Sequence, residues 1–392
     1  MRIFSPRKLS RAKLIGWSIP AIVVLGVLFL AGCGGDSSII DPQGPVALKQ
    51  SDLFWFIFIV ATVVFVAVEG VLIYSVVRFR ARPNSPEPRQ IHGNTRLEIA
   101  WTIVPSLVLF LVLGYTIYTL VGIQEPANKA QTFVNVVGHQ WWWEFRYFES
   151  AGDAQVDVNA LNGQAVQNAP TPTIVTADQL VVPTGTVVHL NLVSTNVIHS
   201  FWIPKLTGKT DVVPGHDNHM WFQADTAGTF PGACAEFCGD QHAHMRFEAQ
   251  SMAMTDYTAW VTAQQKPAHD PDTNTPALTC DQGWPGNDAT LALQGKYYFF
   301  CKTFAGNNAC ISCHSVYGST YGNIKALGVV GPNLTHFGSR DLIAGGVLNN
   351  NQDDLTKWLT DPQQWKPGND MPNLGLSPDE VQALVAYLES LQ

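Results

Sequence analysis

Residues 232–245 read GACAEFCGDQHAHM, and they place two cysteines, a histidine and a methionine on one short loop. Cys234 and Cys238 are four residues apart, His242 follows four residues later, and Met245 comes three residues after that. Thiolate and thioether sulfurs are soft donors and imidazole is borderline, so this set favours copper over the hard cations that prefer carboxylates. The loop therefore predicts a metal site, which still needs a second histidine from elsewhere in the chain.

The best candidate for that histidine is His199, in the stretch VIHSFWIP. Residues 186–194, just before it, have the β-branched, alternating pattern of a strand. Two bridging thiolates with one histidine each form a donor set for two copper ions. A structural zinc site of two cysteines and two histidines is the alternative. Met245 and Glu236, which such a site would not use, argue against it.

The chain opens with a pattern typical of a secretory leader at residues 1–33. Basic residues come first, and an apolar run follows at residues 22–30. The sequence LAGC at residues 30–33 resembles a bacterial lipobox, which predicts cleavage before Cys33 and a lipid on its thiol. The alternative is an uncleaved first transmembrane helix, although the run is near the lower limit of length for a span.

Two long apolar segments come next. Hydrophobic residues make up 46% of the chain and charged residues only 14%, a balance that favours a membrane protein. Leu53 to Val77 and Ile99 to Val121 are each long enough to cross a bilayer, so residues 34–130 are predicted to contain a transmembrane hairpin. Five arginines lie between the segments, and the positive-inside rule places that loop in the cytoplasm. The remainder of the chain is then extracytoplasmic.

Residues 131–264 change to short alternating runs separated by Gly, Pro, Asn and Asp, such as TVVHLNLVS and HMRFEAQ. This pattern is typical of a β-sandwich or barrel. Residues 149–178 are polar and rich in Asn, Ala, Gln and Pro, and they are predicted to form a surface loop. The three adjacent tryptophans in HQWWWEFRY suit a core or a membrane interface, above all Trp142 or Trp143.

A second cofactor motif lies near the C-terminus. Residues 265–290 are rich in Pro, Asp, Asn and Thr and are predicted to be an interdomain linker. The following CISCH is the attachment motif for a c-type haem, with Cys310 and Cys313 for the thioether bonds and His314 as an axial ligand. Taken alone, the same five residues also suit a redox or zinc-binding fragment.

The segments around this motif resemble those of small cytochromes c. GPNLTHFGSR follows it, and PGNDMP at residues 367–372 resembles their methionine loop. The resemblance implies that Met371 is the sixth iron ligand, and His/Met ligation raises the haem potential. Leu291 to Phe304 is predicted to be a helix. Ser377 and Glu380 have the spacing of a capping box, so a C-terminal helix is predicted to pack on the first one.

His199 and the loop CAEFCGDQHAHM resemble the dinuclear copper (CuA) site of cytochrome c oxidase subunit II, through which electrons reach the oxidase. The resemblance implies a cupredoxin-like Greek-key barrel for residues 131–264. It further implies that the backbone carbonyl of Glu236 completes the copper ligands. The carboxylate of the same residue then reaches a magnesium ion shared with subunit I.

Two more positions acquire a role from this resemblance. Glu98 matches a glutamate at the entrance of a proton channel in subunit I, and the alternative is an interfacial carboxylate beside Arg96. Trp141 matches the aromatic residue over the copper site, at the surface where electrons are taken up. Thr195 and Asn196 stand where relatives often carry acidic residues that dock a soluble cytochrome, which argues against direct docking at this face.

Residues 232–245, which we call the copper loop, contain two cysteines, and the CISCH motif contains two more. Together with Cys33 they account for five of the seven cysteines. Cys280 and Cys301 remain, and an extracytoplasmic location predicts a disulfide between them. Two buried thiols are the alternative.

As a whole the sequence resembles subunit II of a caa-type oxidase with a fused cytochrome c. The expected fold is multidomain: a transmembrane α-helical hairpin, an all-β cupredoxin-like Greek-key barrel, and an all-α cytochrome c domain at residues 291–392. The resemblance implies electron flow from an external donor, such as a c-type cytochrome, through haem c and copper to subunit I. It places the chain in a bacterial cell membrane with subunits I and III.

Two other classes of function fit the sequence less well. The net charge of −8 argues against a nucleic acid partner. A membrane-anchored electron carrier that serves another reductase is the alternative function. Such a carrier needs only one anchor and has no use for Glu98, so the predicted hairpin favours the oxidase.

Overall fold

The computed structural model describes residues 35, 37–80, 87, 90–126, 130–166, 168–269, 271, 280, 284, 290–304 and 309–392. The predicted leader with Cys33 lies outside these residues, as does most of the predicted linker. In chain order, the described residues form a helical hairpin, a barrel of two sheets and a small helical domain.

The hairpin consists of α1 (Pro45–Arg78) and α2 (Thr95–Gly122). Both helices are long and apolar enough to cross a membrane, and most of their large apolar side chains are exposed rather than packed inside the protein. Asn94 caps α2 by accepting hydrogen bonds from the amides of Arg96 and Leu97. The two predicted spans lie inside these helices.

The outer end of the hairpin is tied to the barrel on both sides. Before α1, the amide of Gln43 donates to the Lys205 carbonyl at 2.7 Å, and its own carbonyl accepts from the Asp225 amide at 2.9 Å. After α2, the indole N–H of Trp221 donates to the Ile123 carbonyl at 2.8 Å. These bonds hold the barrel in a defined position at the outer end of the hairpin.

The described strands of the barrel are β1 (Ala130–His139), β2 (Trp142–Phe148), β3 (Ile174–Ala177), β4 (Gln179–Pro183), β5 (Val187–Ser194), β6 (His199–Trp202), β7 (Thr210–Val212), β8 (Asn218–Phe222), β9 (Gly228–Cys234) and β10 (Arg246–Met252). They form two five-stranded sheets, in the orders β3-β2-β1-β5-β8 and β4-β10-β9-β6-β7. β1 is antiparallel to β2 and parallel to β5, and β10 is parallel to β4. The expected all-β, cupredoxin-like barrel is confirmed.

Aromatic rings fill the space between the two sheets. The buried side chains of Trp143, Phe145, Phe201 and Phe247 are at most 1% exposed. Phe201 and Phe247 stack with ring centroids 4.5 Å apart, and Trp143 meets Phe201 edge-on at 5.4 Å. Of the three adjacent tryptophans, Trp143 is fully buried in this core and Trp141 is also buried, while Trp142 is only half-buried.

The prediction of a surface loop at residues 149–178 is wrong. The chain there forms β3 and a helix, α3 (Ala151–Leu161), which lies on the outer face of the first sheet. The Asn135 side chain on β1 donates to the Ala154 carbonyl and to the Asp157 carboxylate, both at 2.8 Å. This face of the sheet carries polar side chains, so a helix of polar composition can cover it. Composition alone therefore could not reveal the burial.

The C-terminal domain follows α4 (Met254–Gln264). Its helices are α5 (Leu291–Cys301), α6 (Gln352–Thr360), α7 (Pro362–Trp365) and α8 (Pro378–Ser390). Two small hairpins join them, β11 (Ser315–Tyr321) with β12 (Ile324–Leu327) and β13 (Leu342–Ile343) with β14 (Leu348–Asn349). The predicted first helix therefore exists, although it ends at Cys301 rather than at residue 304.

The first and last helices of this domain pack against each other as predicted. Phe299 on α5 and Tyr387 on α8 are buried with ring centroids 5.4 Å apart. The start of α8 has the predicted capping box, because the Ser377 side chain accepts from the Glu380 amide and the Glu380 carboxylate accepts from the Ser377 amide.

Parts of the predicted linker lie on the C-terminal domain. Cys280 is joined to Cys301 by a disulfide with a Cα–Cα distance of 5.2 Å. Trp284 lies against Tyr297 with ring centroids 5.8 Å apart, and Ala268 is buried in the core of this domain. The described residues of the segment thus belong structurally to the C-terminal domain.

Candidate functional site

Six donor groups converge at one end of the barrel, and we call them the donor cluster. The Cys234 sulfur lies 3.8 Å from the Cys238 sulfur, 3.9 Å from Nδ1 of His199 and 3.2 Å from the backbone oxygen of Glu236. The Cys238 sulfur lies 3.7 Å from Nδ1 of His242 and 3.8 Å from the Met245 sulfur. Every copper ligand expected from the sequence is therefore present in one place.

The strands explain why these groups meet. Cys234 ends β9 and His199 begins β6, and the two strands pair with Phe201 opposite Cys234. The loop is closed by a hydrogen bond of 3.0 Å from the Cys234 amide to the Met245 carbonyl. Gly138 on β1 leaves room for the imidazole, because a Cβ there would lie 2.8 Å from the His199 ring.

The geometry of the donor cluster bears on whether it suits one metal ion or two. Among the described residues, the His and Cys donor atoms that all lie within 4.8 Å of one another belong to His199, Cys234 and Cys238. His242 approaches from the Cys238 side only. A single tetrahedral zinc ion would need all four donors around one point. Two shared thiols with one imidazole on each side instead suit a pair of copper ions.

The two thiols are electrostatically coupled. The hydrogen bond between them lowers the pKa of Cys234, and the same contact raises the pKa of Cys238. Cys234 therefore loses its proton readily, whereas Cys238 keeps its proton because a second negative charge beside the first is unfavourable. A bound cation would stabilise both negative charges, so metal binding is expected to release the proton of Cys238.

Neighbouring polar groups orient the cluster. Oδ1 of Asn196 lies 3.0 Å from Nε2 of His199, which leaves Nδ1 facing Cys234. The side chains of Gln140 and Trp141 both donate to the Cys238 carbonyl, at 2.8 and 3.0 Å. The role of Asn196 was not predicted, and its position three residues before His199 was the available signal.

The C-terminal domain contains a cavity that we call the haem pocket. It is lined by Cys310, Cys313, His314 and Met371, and it holds about 1170 Å³ of space including the part open to solvent. Most of the remaining wall is apolar, formed by Val330, Leu334, Phe337, Ile343, Trp358 and Leu374. The four residues expected to hold a haem thus surround one apolar cavity.

The histidine and methionine of this pocket are both held in place. Nδ1 of His314 lies 2.8 Å from the Pro332 carbonyl, which leaves Nε2 for a metal. Burial lowers the pKa of His314, which favours the neutral imidazole that an iron ligand requires. Gly331 is required because a Cβ there would lie 2.6 Å from the His314 ring. The Met371 amide donates to Oδ1 of Asn369 at 2.9 Å.

The barrel forms one wall of the haem pocket. Gln140, Trp141 and Trp142 line the cavity together with the haem-binding residues. Trp141 is only 9% exposed, because the C-terminal domain covers the face of the barrel on which Trp141 lies. Its indole N–H points the other way, to the Cys238 carbonyl.

Two predicted acidic residues lie outside this arrangement. The side chain of Glu236 is exposed on the copper loop beside Phe237, which is 74% exposed. Glu98 is exposed in the first turn of α2, where its carboxylate accepts from the Asn94 amide at 3.2 Å. Neither carboxylate takes part in the donor cluster or in the haem pocket.

Comparisons with known families match three parts of the chain. Residues 37–118 match the transmembrane domain of cytochrome c oxidase subunit II, and residues 132–252 match the periplasmic domain of the same subunit. Residues 301–392 match the family described as cytochrome c.

Individual proteins are similar over most of the chain. Cytochrome c oxidase subunit 2 of Alkalihalophilus pseudofirmus is 34% identical over 377 residues, which cover 93% of this chain and 94% of that protein. The subunit of the same name from a Bacillus species is 32% identical over 397 residues, which cover 97% and 98%. The solved periplasmic domain of subunit II of cytochrome oxidase from Bradyrhizobium japonicum is 27% identical, with a TM-score of 0.28, and covers 36% of this chain and 97% of that domain.

The fold and the site define a membrane protein with an extracytoplasmic electron-transfer part, built from a barrel that implies copper and a domain that implies haem c. The chain belongs to the cytochrome c oxidase subunit II family, in the caa-type form that carries a fused cytochrome c domain. It is a subunit of an oxidase and works in a complex with other oxidase subunits.

Proposed function

We propose that this subunit passes electrons from an external donor through haem c and a dinuclear copper centre to subunit I, where oxygen is reduced. The observation that supports this path is the position of Trp141. Its ring lines the haem pocket, and its N–H donates to the carbonyl of Cys238 in the donor cluster. A single buried side chain therefore connects the two places where redox groups would bind.

The chain offers a complete set of ligands for both groups. The copper ligands are His199, Cys234, Cys238, His242, Met245 and the backbone carbonyl of Glu236, and the haem ligands are Cys310, Cys313, His314 and Met371. When bound, copper and haem supply one-electron redox chemistry at potentials that these ligands set. The protein keeps the thiols and the methionine of the cluster buried, which excludes water from them.

The donor is proposed to meet the C-terminal domain rather than the barrel. Trp141, which we assign to electron uptake by the barrel, is covered by this domain. Thr195 and Asn196 are exposed but uncharged, so they lack the charges that speed encounter with a basic cytochrome. We infer that a c-type cytochrome or similar donor reduces haem c, and that Trp141 serves transfer inside the protein.

Further roles are proposed for residues outside the two redox sites. The exposed carboxylate of Glu236 is assigned to a magnesium ion shared with subunit I, and Glu98 to the entrance of a proton channel from the cytoplasm. Subunits I and III are the proposed partners of the hairpin in a bacterial cell membrane. Residues 1–33 are proposed to be a lipoprotein-type leader with Cys33 as the lipidated residue.

Replacing Cys238 by serine tests the proposed path. One bridging sulfur is lost, so we expect the purple copper absorption to disappear while the haem c spectrum remains. Electrons from a reduced donor should then reach the haem but stop there, whereas the wild-type protein should go on to reduce copper. Metal analysis serves as the second readout. A wild-type barrel that binds one zinc ion, without any copper absorption, would refute the assignment.

A further inference from the structure

A buried lysine lies where the barrel meets the C-terminal domain. Lys366 is 3% exposed, and its Nζ donates to the carbonyls of Trp141 at 2.6 Å, His244 at 3.0 Å and Ala344 at 2.9 Å. An ammonium group has three N–H donors, so all of them are used. Two acceptors belong to the barrel and one to the C-terminal domain, which makes this cation a bridge between them.

A buried carboxylate compensates the charge of this lysine. Asp178 is 4% exposed, and it accepts hydrogen bonds from the amides of Trp143 at 2.9 Å and Gly345 at 3.2 Å. It too contacts both domains. Burial lowers the pKa of Lys366 to about 8, and the charge of Asp178 offsets part of that effect. Since an uncompensated buried charge is strongly destabilising, Lys366 depends on Asp178, and Asp178 is compensated by Lys366 and by Arg340.

The fit around the lysine is close. Gly345 has a φ of +69° and packs against Nζ of Lys366, and a Cβ there would also lie 2.7 Å from the Trp141 carbonyl. The Gly345 carbonyl accepts from the amide of Arg246, the first residue of β10, at 3.0 Å. The interface at this point is therefore built from backbone groups of both domains around one cation.

On the barrel side, the lysine contacts both segments that shape the donor cluster. The Trp141 carbonyl is one acceptor, and the indole of the same residue donates to the Cys238 carbonyl. The His244 carbonyl is another acceptor, and His244 lies between the ligands His242 and Met245. Displacing the ammonium group would therefore release the backbone on both sides of the cluster.

On the other side, the lysine is tied to the methionine of the haem pocket. The Asn369 side chain donates to the Lys366 carbonyl at 2.6 Å and accepts from the Met371 amide at 2.9 Å. The next residue, Pro367, accepts from the Gln241 side chain of the copper loop at 2.8 Å. Residues 366–371 thus run from the copper loop directly to the sixth haem ligand.

We propose that Lys366 is a positioning residue that sets the distance between the donor cluster and the haem pocket. This inference rests on the proposed electron path. Without the lysine, three buried carbonyls lose their donor and Asp178 keeps only Arg340 as a nearby positive charge, so the contact between the domains is expected to loosen at this point. Electron transfer weakens with distance, so a wider gap between the two redox groups would slow it.

The test is Lys366→Met in the full-length protein with both cofactors, compared with Lys357→Met. Lys357 is an exposed lysine on α6 that pairs with Asp354 at 2.7 Å, so the control removes the same charge from the same domain. We expect Lys366→Met to slow electron transfer from haem to copper several-fold relative to Lys357→Met. Both absorption spectra and the reduction of haem by a small reductant should stay unchanged. Amide hydrogen exchange at Gly345 and Arg246 should rise in Lys366→Met only.

The outcomes separate this inference from the electron path on which it rests. If the wild-type protein shows no transfer from haem to copper, the path is refuted whatever Lys366 does. If the wild-type protein transfers electrons and Lys366→Met is as fast as Lys357→Met, Lys366 has no positioning role. Should Lys366→Met fail to retain both cofactors, Lys366→Gln, which keeps two N–H donors, decides by the same measurements. Loss of cofactors in that variant as well would make Lys366 a folding residue and overturn the inference.

Discussion

The Glu144 carboxylate should make the stability of the barrel depend on pH in the acid range. Glu144 lies on β2, where Oε2 is 3.0 Å from Nε2 of His139 and Oε1 accepts from Nε of Arg146 at 2.7 Å. Burial alone would raise the pKa of this carboxyl group. The hydrogen bond from His139 and the charge of Arg146 outweigh burial and lower the pKa from 4.5 to about 2.

The size of the effect follows from these two pKa values. At 1.36 kcal/mol for each pH unit, the difference between 4.5 and about 2 gives about 3 kcal/mol of stability. Because the folded-state pKa is the lower one, the unfolded chain binds more protons between these values. The contribution is therefore complete above pH 4.5, about half remains at pH 3, and it is lost as the pH falls through 2.

Glu144→Gln should remove this contribution. At pH 7 we expect the free energy of unfolding of the barrel to fall by about 3 kcal/mol, since the neutral amide loses the charge interaction with Arg146, which keeps only Asp157 at 3.1 Å. Hydrogen exchange of the slowest amides in β1 and β2 measures that free energy, and thermal unfolding provides a second value. The gap between wild type and variant should shrink steadily below pH 4.5.

Glu149→Gln is the matched control, because Glu149 follows β2 and is exposed. It should change the stability of the barrel little at any pH. The reasoning is refuted if Glu144→Gln is as stable as Glu149→Gln at pH 7. It is equally refuted if the gap between them is the same at pH 7 and pH 3, because the loss would then not come from ionisation.

Two further predictions concern the other domains. Cys301→Ser should lower the stability of the C-terminal domain by about 3 kcal/mol, because the disulfide to Cys280 spans 21 residues. Unfolding followed by the haem absorption measures this stability, and an unchanged unfolding midpoint would contradict the prediction. Glu98→Gln keeps an oxygen that can accept from the Asn94 amide but cannot carry a proton, so turnover should slow several-fold while haem and copper stay reducible. Equal turnover of wild type and Glu98→Gln across a wide pH range would favour the interfacial role beside Arg96.

Most of the donor cluster could be grouped from the sequence because four of its residues are close together along the chain. Cys234, Cys238, His242 and Met245 lie on one loop, so the chain cannot place them far apart. His199 was accessible because it begins a strand whose pattern is visible in the sequence. The helix α3 was missed since its polar composition, which matches a polar sheet face, looks the same as that of a loop.

Long-range polar contacts could not be predicted in this way. Lys366 and Trp141 are 225 residues apart, and nothing near either residue marks the contact. A lysine in a stretch of prolines and glutamines is typical of an exposed surface, and Asp178 follows a short strand as many turn residues do. Only the arrangement of the two domains shows that both are buried, so no pattern of single residues could reveal the interface.

The bonds from Gln43 to Lys205 and Asp225 set an order for the biogenesis of this subunit. Residues 41–44 leave the ribosome before the barrel segments that receive them, which are translated after both helices of the hairpin. Because synthesis runs from the N-terminus, the barrel can close on this segment only after the second span has been inserted and the chain translocated.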